Sequence, residues 1–272
     1  MFTFENMSLL KYPHSLLFKI SGKDLKKPSW ILGTMHMICA EDFKLPEKVI
    51  KALKKCNYYF MEVDLGSSGE LDMMHSNSVP VSDFTVGLTA EQEEELSTIL
   101  KRELGMTLDD AKQLPPVAIL NKMTTDAIGC TEYKIAEFEL MQLAHQEGIS
   151  TGGLETAAEQ LRIAEKVFDG KEILKQLRSS GDYKELFVRM MAAYKNENLM
   201  ELSAFIADKR FMSRRAFNIL VLQRNSRWAK KIPELIKKNS VFIAVGAGHL
   251  PGERGVINLL QMQGYSVNPV YR

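Results

Sequence analysis

The chain has 272 residues, 45% of them hydrophobic, with 35 Lys and Arg set against 34 Asp and Glu. That size supports one substantial core with room for a helical insertion, and the even charge balance gives no electrostatic case for nucleic acid or an anionic membrane as a partner. Cys39, Cys56 and Cys130 show no CxxC spacing, which excludes a disulfide framework and a cysteine-rich zinc site but leaves room for a single bridge.

The first residues lack a basic region followed by an apolar run, so the chain as written reads as cytoplasmic, or as secreted if a leader has been removed. No run approaches the roughly 20 apolar residues of a membrane-spanning helix. Residues 15–22 and 29–35 read as two strands of a hairpin turning at Gly22-Lys23-Asp24. A short helix over 47–55 follows Pro46, and the aromatic stretch 58–64 predicts a further strand that ends in two acids, Glu62 and Asp64. The Gly- and Ser-rich segment 66–88 reads as a loop.

From about 89 to 240 the apolar positions recur three and four apart, so the middle of the chain is expected to be largely helical, with Pro115-Pro116 separating two helices. One extended interruption, 148–155, delivers Glu155 to the start of a helix, where Glu155 or Thr156 can serve the exposed backbone donors. A strand, a glycine turn, a helix over 253–263 and a last strand over 265–270 close the chain. The expectation is an α/β fold, a central mixed or mostly parallel sheet wrapped by helices, in a single domain over 1–272 with a helical insertion at about 89–240.

Two apolar runs end alike, in Gly33-Thr34-Met35-His36 and Gly246-Ala247-Gly248-His249. If both are parallel strands of one sheet, the two imidazoles meet at its carboxyl edge, where ligand crevices form in open α/β folds. Neutral imidazole serves as a metal ligand or a general base, and each His is otherwise an ordinary turn residue. Glu62 follows four apolar or aromatic residues, and burying its charge demands a cation, a metal or a hydrogen-bonding partner unless it faces solvent from an edge strand. Glu155 at a helix start gains about 0.3–1 kcal/mol from the helix dipole without any further role.

In a helix over 200–230, Phe217, Leu220, Arg224 and Trp228 form one stripe, interrupted by a guanidinium that must meet a carboxylate or an anion. Glu137 is one candidate partner for a structural ion pair, and Asn225 can donate to a substrate carbonyl or stay solvated. The Gly-x-Gly at 246–248 fails as a dinucleotide loop because Pro251 replaces the third glycine and no ribose-binding acid follows. Walker A, HExxH and Gly-x-Ser-x-Gly motifs are missing, and His14, His75 and His145 read as surface residues.

The order and spacing of Leu32-Gly33-Thr34-Met35-His36, Met61-Glu62-Val63-Asp64, Gly153-Leu154-Glu155-Thr156 with Glu159-Gln160, Arg224-Asn225 with Trp228, and Val245-Gly246-Ala247-Gly248-His249-Leu250 resemble the TraB/GumN family, which includes the Tiki metalloproteases. The resemblance spans nearly the whole chain. It implies an α/β fold and divalent-metal-dependent peptide cleavage, with manganese or cobalt as activator. His36, Glu62 and His249 are then the metal or catalytic residues, supported by Arg224, Asn225 and Glu155. Relatives usually carry Asp where this chain has Glu137, which leaves that acid outside the expected set. The expected partner is a peptide or other small acyl substrate; the competing class is a non-catalytic peptide-, haem- or metal-binding protein on the same fold.

Overall fold

A computed structural model describes residues 14–75 and 83–271. The first two strands, β1 (Leu17–Ser21) and β2 (Ser29–Thr34), form the expected antiparallel hairpin, with Leu17 opposite Leu32. The remaining strands are β3 (Ile38–Cys39), β4 (Tyr58–Val63), β5 (Tyr133–Lys134), β6 (Ser150–Glu155), β7 (Val241–Gly246) and β8 (Ser266–Pro269). Six of them make one sheet in the order β6-β4-β7-β2-β1-β8. Within it β6, β4, β7 and β2 run parallel, and β1 is antiparallel to both β2 and β8.

The central strands β2 and β7 are buried at every position. Parallel strands covered by helices on both faces need such unbroken apolar runs, and Trp30-Ile31-Leu32 and Val241-Phe242-Ile243-Ala244-Val245 supply them. Helices pack on this sheet through Leu53, Leu140, Trp228, Ile232 and Leu260 in one core, while a second cluster around Leu96, Leu100, Ile119 and Ile173 holds the helical middle region together. The 148–155 interruption is β6, an edge strand of the main sheet.

Three local expectations need correction, and one alternative is settled. Within 66–88 the described part contains a helix, Ser68–His75, rather than only loop; Glu70 of that helix accepts from the Ala157 N–H at 2.6 Å and so docks it on the next helix, Ala157–Val167. Residues 76–82 of that segment lie outside the described residues. The stretch 200–230 is not one helix: Leu199–Ile206, Arg214–Phe217, a π-helical turn Asn218–Gln223 and Arg224–Lys238 follow one another, which shifts the side-chain phase ahead of Arg224. Of the two capping candidates, Thr156 is the one that caps the helix at 157, in a reciprocal box with Glu159, as the sequence allowed. The Gly252-flanked helix at the end begins later than expected, at Val256–Met262.

A second, two-stranded sheet pairs β3 with β5, in register Ile38 to Lys134 and Cys39 to Tyr133. Beside it Cys39 and Cys130 are joined by a disulfide, and Cys56 is a buried free thiol. Among the described residues no helix is long and apolar enough to cross a membrane.

Candidate functional site

In the β2–β7 register Thr34 pairs with Gly246, so both Gly-x-x-His turns leave the sheet at the same carboxyl edge. Glu62, next to the end of β4, reaches the same edge from the other side of β7. Its Oε1 accepts from the Gly246 N–H at 2.8 Å, and it stands 4.0 Å from His36 Nε2 and 3.8 Å from His249 Nε2. Its Oε2 accepts from Arg224 Nη2 and from Gln160 Nε2 at 3.3 Å.

Arg224 follows the π-helical turn, a local irregularity that recurs at functional sites. Its Nε donates to Glu155 Oε1 at 2.8 Å, and Nη2 to both Glu155 Oε1 and Glu62 Oε2. Nη1 donates to the Leu220 carbonyl at 3.2 Å and to His249 Nε2 at 3.3 Å. All five guanidinium N–H groups therefore have protein acceptors. The guanidinium also covers the Trp228 ring at 4.7 Å, and that ring lies 4.5 Å from the His249 ring. Arg224 thus pairs with Glu62 and Glu155, and Glu137 is not its partner.

The two imidazoles are oriented by the same device. Asn225 Nδ2 donates to the carbonyls of His249 and Arg254, at 3.1 and 2.9 Å, so its oxygen faces the His249 ring, 2.6 Å from Nδ1. That ring therefore carries its proton on Nδ1 and turns the Nε2 lone pair toward Arg224 and Glu62. His36 Nδ1 lies 2.9 Å from Glu137 Oε1, which also accepts from Thr34 Oγ1 at 2.6 Å; its Nε2 likewise faces Glu62. Glu137 Oε2 is buried without a hydrogen-bond partner among the described residues.

Burial differs sharply between the two. The His36 side chain is 60% exposed and that of His249 is 8% exposed, so the site opens on the His36 side. The Glu137 charge raises His36 to about 9, against the opposing pull of burial. Burial drives His249 down to about 3, with Glu62 opposing and Arg224 adding to the fall, so this ring stays neutral. Burial alone would raise Glu62, but Arg224, then His249, His36 and the Gly246 N–H, together hold its carboxyl well below the usual carboxylate range.

His36, Glu62, Glu155, Arg224, Asn225 and His249 are all brought together. Asp64 is not: it lies beyond the end of β4 and its Oδ1 accepts from the Gly66 N–H at 3.0 Å. Gln160, part of the motif that carries the family resemblance but without a role there, bridges Glu62 and Glu155, and Glu137 had no expected place beside His36. For Gln160 the signal was its place in that motif, five residues after Glu155. His14 and His145 are exposed as expected; the His75 side chain lies outside the described residues.

The fit to a divalent ion turns on Gly246. A Cβ there would meet His36 Nε2 at 3.2 Å, Glu62 Oε1 at 3.4 Å and His249 Cδ2 at 3.6 Å, so the missing side chain leaves a cradle facing the histidine and carboxylate groups. Two imidazole nitrogens and one carboxylate oxygen make a mixed N/O donor set that suits manganese, cobalt or zinc. Among the described residues, however, no group of three or more His, Cys, Asp or Glu is already close enough to enclose an ion.

Comparison with known proteins places this geometry among relatives. The chain is 23% identical over 323 aligned residues to "Metalloprotease TIKI2" of Danio rerio, covering 93% of this chain and 60% of that protein. It is 44% identical over 52 residues to "Metalloprotease TIKI homolog" of Amphimedon queenslandica, 18% of this chain and 10% of that protein. "Uncharacterized protein YbaP" of Escherichia coli (strain K12) is 25% identical over 237 residues, covering 85% and 87% of the two chains. The chain thus spans well under two thirds of the length of either Tiki relative. No solved structure matches it. The model of the TraB/PrgY/gumN family matches residues 16–269, a span that holds both Gly-x-x-His turns and every residue gathered at this sheet edge, and the chain belongs to that family.

Proposed function

We propose that this chain is a metal-dependent hydrolase acting on peptides, with a divalent ion of the manganese or cobalt type held by His36, Glu62 and His249. The observation that carries the reading is the matched setting of the two imidazoles. Each has Nδ1 against an oxygen, Glu137 Oε1 or Asn225 Oδ1, and each turns Nε2 toward Glu62 Oε1. Oxygen acceptors on the far nitrogen are how proteins orient histidine ligands. The metalloprotease name of the Danio rerio relative supports the reaction class.

When bound, such an ion supplies a Lewis acid and makes water a nucleophile near neutral pH. The chain's own residues hold the site. Glu62, kept ionised well below the usual range, is a poor proton acceptor and suits ligation better than general-base work. Arg224 positions Glu62 and Glu155, and Glu155 anchors it in return; an ion on His249 Nε2 would take the lone pair that accepts from Nη1. Asn225, with both Nδ2 protons donated to carbonyls, fixes the His249 tautomer. Substrate approaches past the exposed His36.

The test is elemental analysis of protein purified without chelator, then incubation with a peptide library after adding back each divalent ion. New termini are expected with Mn²⁺ or Co²⁺ and none with chelator. Metal uptake without new termini would favour a sequestering protein. His36→Ala and His249→Ala chains that retained both uptake and cleavage would overturn the reading.

A further inference from the structure

We propose that the Cys39–Cys130 disulfide is a redox-sensitive clamp on this site, seating His36 against Glu137 when closed and releasing it when reduced; this rests on the metal-site reading above. His36 lies two residues before β3 and Glu137 three residues after β5. His36 also lies two residues after β2, so β2 holds it on one side and the small sheet on the other.

That sheet is slight. It has two register pairs, extended by one further bond from the Ala40 N–H to the Glu132 carbonyl at 3.0 Å. An isolated pair of such short strands has little stability of its own. The disulfide joins its two sides across 91 residues of sequence, with a Cα separation of 5.8 Å.

The two partners are not equally anchored. Glu137 is tied to the main sheet by Thr34 Oγ1 on its carboxylate and by the Tyr59 hydroxyl on its carbonyl, at 3.3 Å. The exposed His36 ring has, among the described residues, one hydrogen bond, to Glu137. Loosening β3 therefore removes one of the two backbone anchors flanking the histidine and leaves the two hydrogen bonds that hold the acid.

A reductant can reach the bridge. Cys39 is buried, but Cys130 is half-buried in a run where Gly129, Thr131, Glu132 and Tyr133 are exposed. A dithiol reductant attacks the Cys130 sulfur, the S–S bond breaks with Cys39 as leaving thiolate, and the mixed disulfide resolves on the second thiol of the reductant. Two electrons and two protons pass to the protein, giving two cysteine thiols and one oxidised dithiol.

The experiment titrates Mn²⁺ into the full chain in three forms: oxidised, reduced with dithiothreitol and freed of excess reagent, and Cys39→Ala/Cys130→Ala. The oxidised chain is expected to bind at least about tenfold more tightly than the other two, the size of effect seen when the orienting partner of a ligand is lost. Amide exchange is expected to rise in 35–40 and 130–137 and to stay unchanged in β2 and β7, and reoxidation is expected to restore both readouts. In His36→Ala the redox dependence disappears. Equal Mn²⁺ affinity in all forms, or loss of protection throughout the sheet on reduction, would overturn the clamp while leaving the metal site standing. No binding by the oxidised chain would remove the metal reading and the clamp with it.

Discussion

Nδ1 of His249 lies 2.6 Å from Oδ1 of Asn225, and the amide behind that oxygen is locked by two backbone carbonyls. The imidazole has no freedom of tautomer: its Nε2 must present a lone pair to the site. Asn225→Leu removes the acceptor and strands both carbonyls. Metal affinity is expected to fall about 10- to 100-fold, and chelated protein to lose about 1–3 kcal/mol for each group left unpaired. Calorimetric titration and urea denaturation read the two effects separately, and undiminished affinity in Asn225→Leu would show that the tautomer lock is dispensable.

Arg224 is buried between two carboxylates, and its removal leaves Glu155 with the half-exposed Arg227 at 3.4 Å as its counter-charge and takes from Glu62 its hydrogen-bonded cation. Arg224→Met is expected to cost about 3–5 kcal/mol in denaturant unfolding, the range for breaking a buried pair. Adding Glu155→Gln should recover part of that loss, because one orphaned charge is gone. If the double variant were no more stable than the single one, the contribution of Arg224 would lie in its packing on Trp228 and not in charge.

The central sheet was readable because strands covered on both faces announce themselves as unbroken apolar runs, as in β2 and β7. Once those strands are parallel neighbours, the repeated Gly-x-x-His spacing brings His36 and His249 to one edge. The helix Ser68–His75 was hidden because Gly and Ser at its start favour turns, and its stability comes from Glu70 docking on a helix nearly ninety residues away in sequence. The π-helical turn before Arg224 leaves no periodic trace over its six residues. The place of Glu137 was hidden for a similar reason: its contact with His36 spans 101 residues and lies beside the β3–β5 pairing, whose two-residue strands are too short to show a pattern.

The two histidines should give the metal-free protein opposite pH dependences. His36 is raised to about 9 when folded, so its contribution to stability is complete below its unfolded value near 6.5 and is lost as pH rises toward 9. His249 is lowered to about 3, so the unfolded chain binds its proton first and stability is lost as pH falls from 6.5 toward 3. In chelator, urea midpoints measured from pH 4 to 9.5 are expected to lose their alkaline decline in His36→Gln and part of their acid decline in His249→Gln. An alkaline limb unchanged in His36→Gln would mean that Glu137 does not hold the ring proton.

Gly246 offers a way to separate the site from the fold. Its backbone, at φ −49° and ψ 133°, is one that alanine adopts freely, so the substitution strains nothing in the chain path. A methyl group there would nevertheless press on His36 Nε2 at 3.2 Å and Glu62 Oε1 at 3.4 Å, filling the cradle in front of the proposed ligands. Gly246→Ala is therefore expected to change the urea midpoint of metal-free protein little, within about 1 kcal/mol of the glycine-to-alanine effect, while abolishing Mn²⁺ uptake and peptide cleavage together. Full Mn²⁺ uptake in a folded Gly246→Ala chain would place the ion somewhere other than between these three side chains.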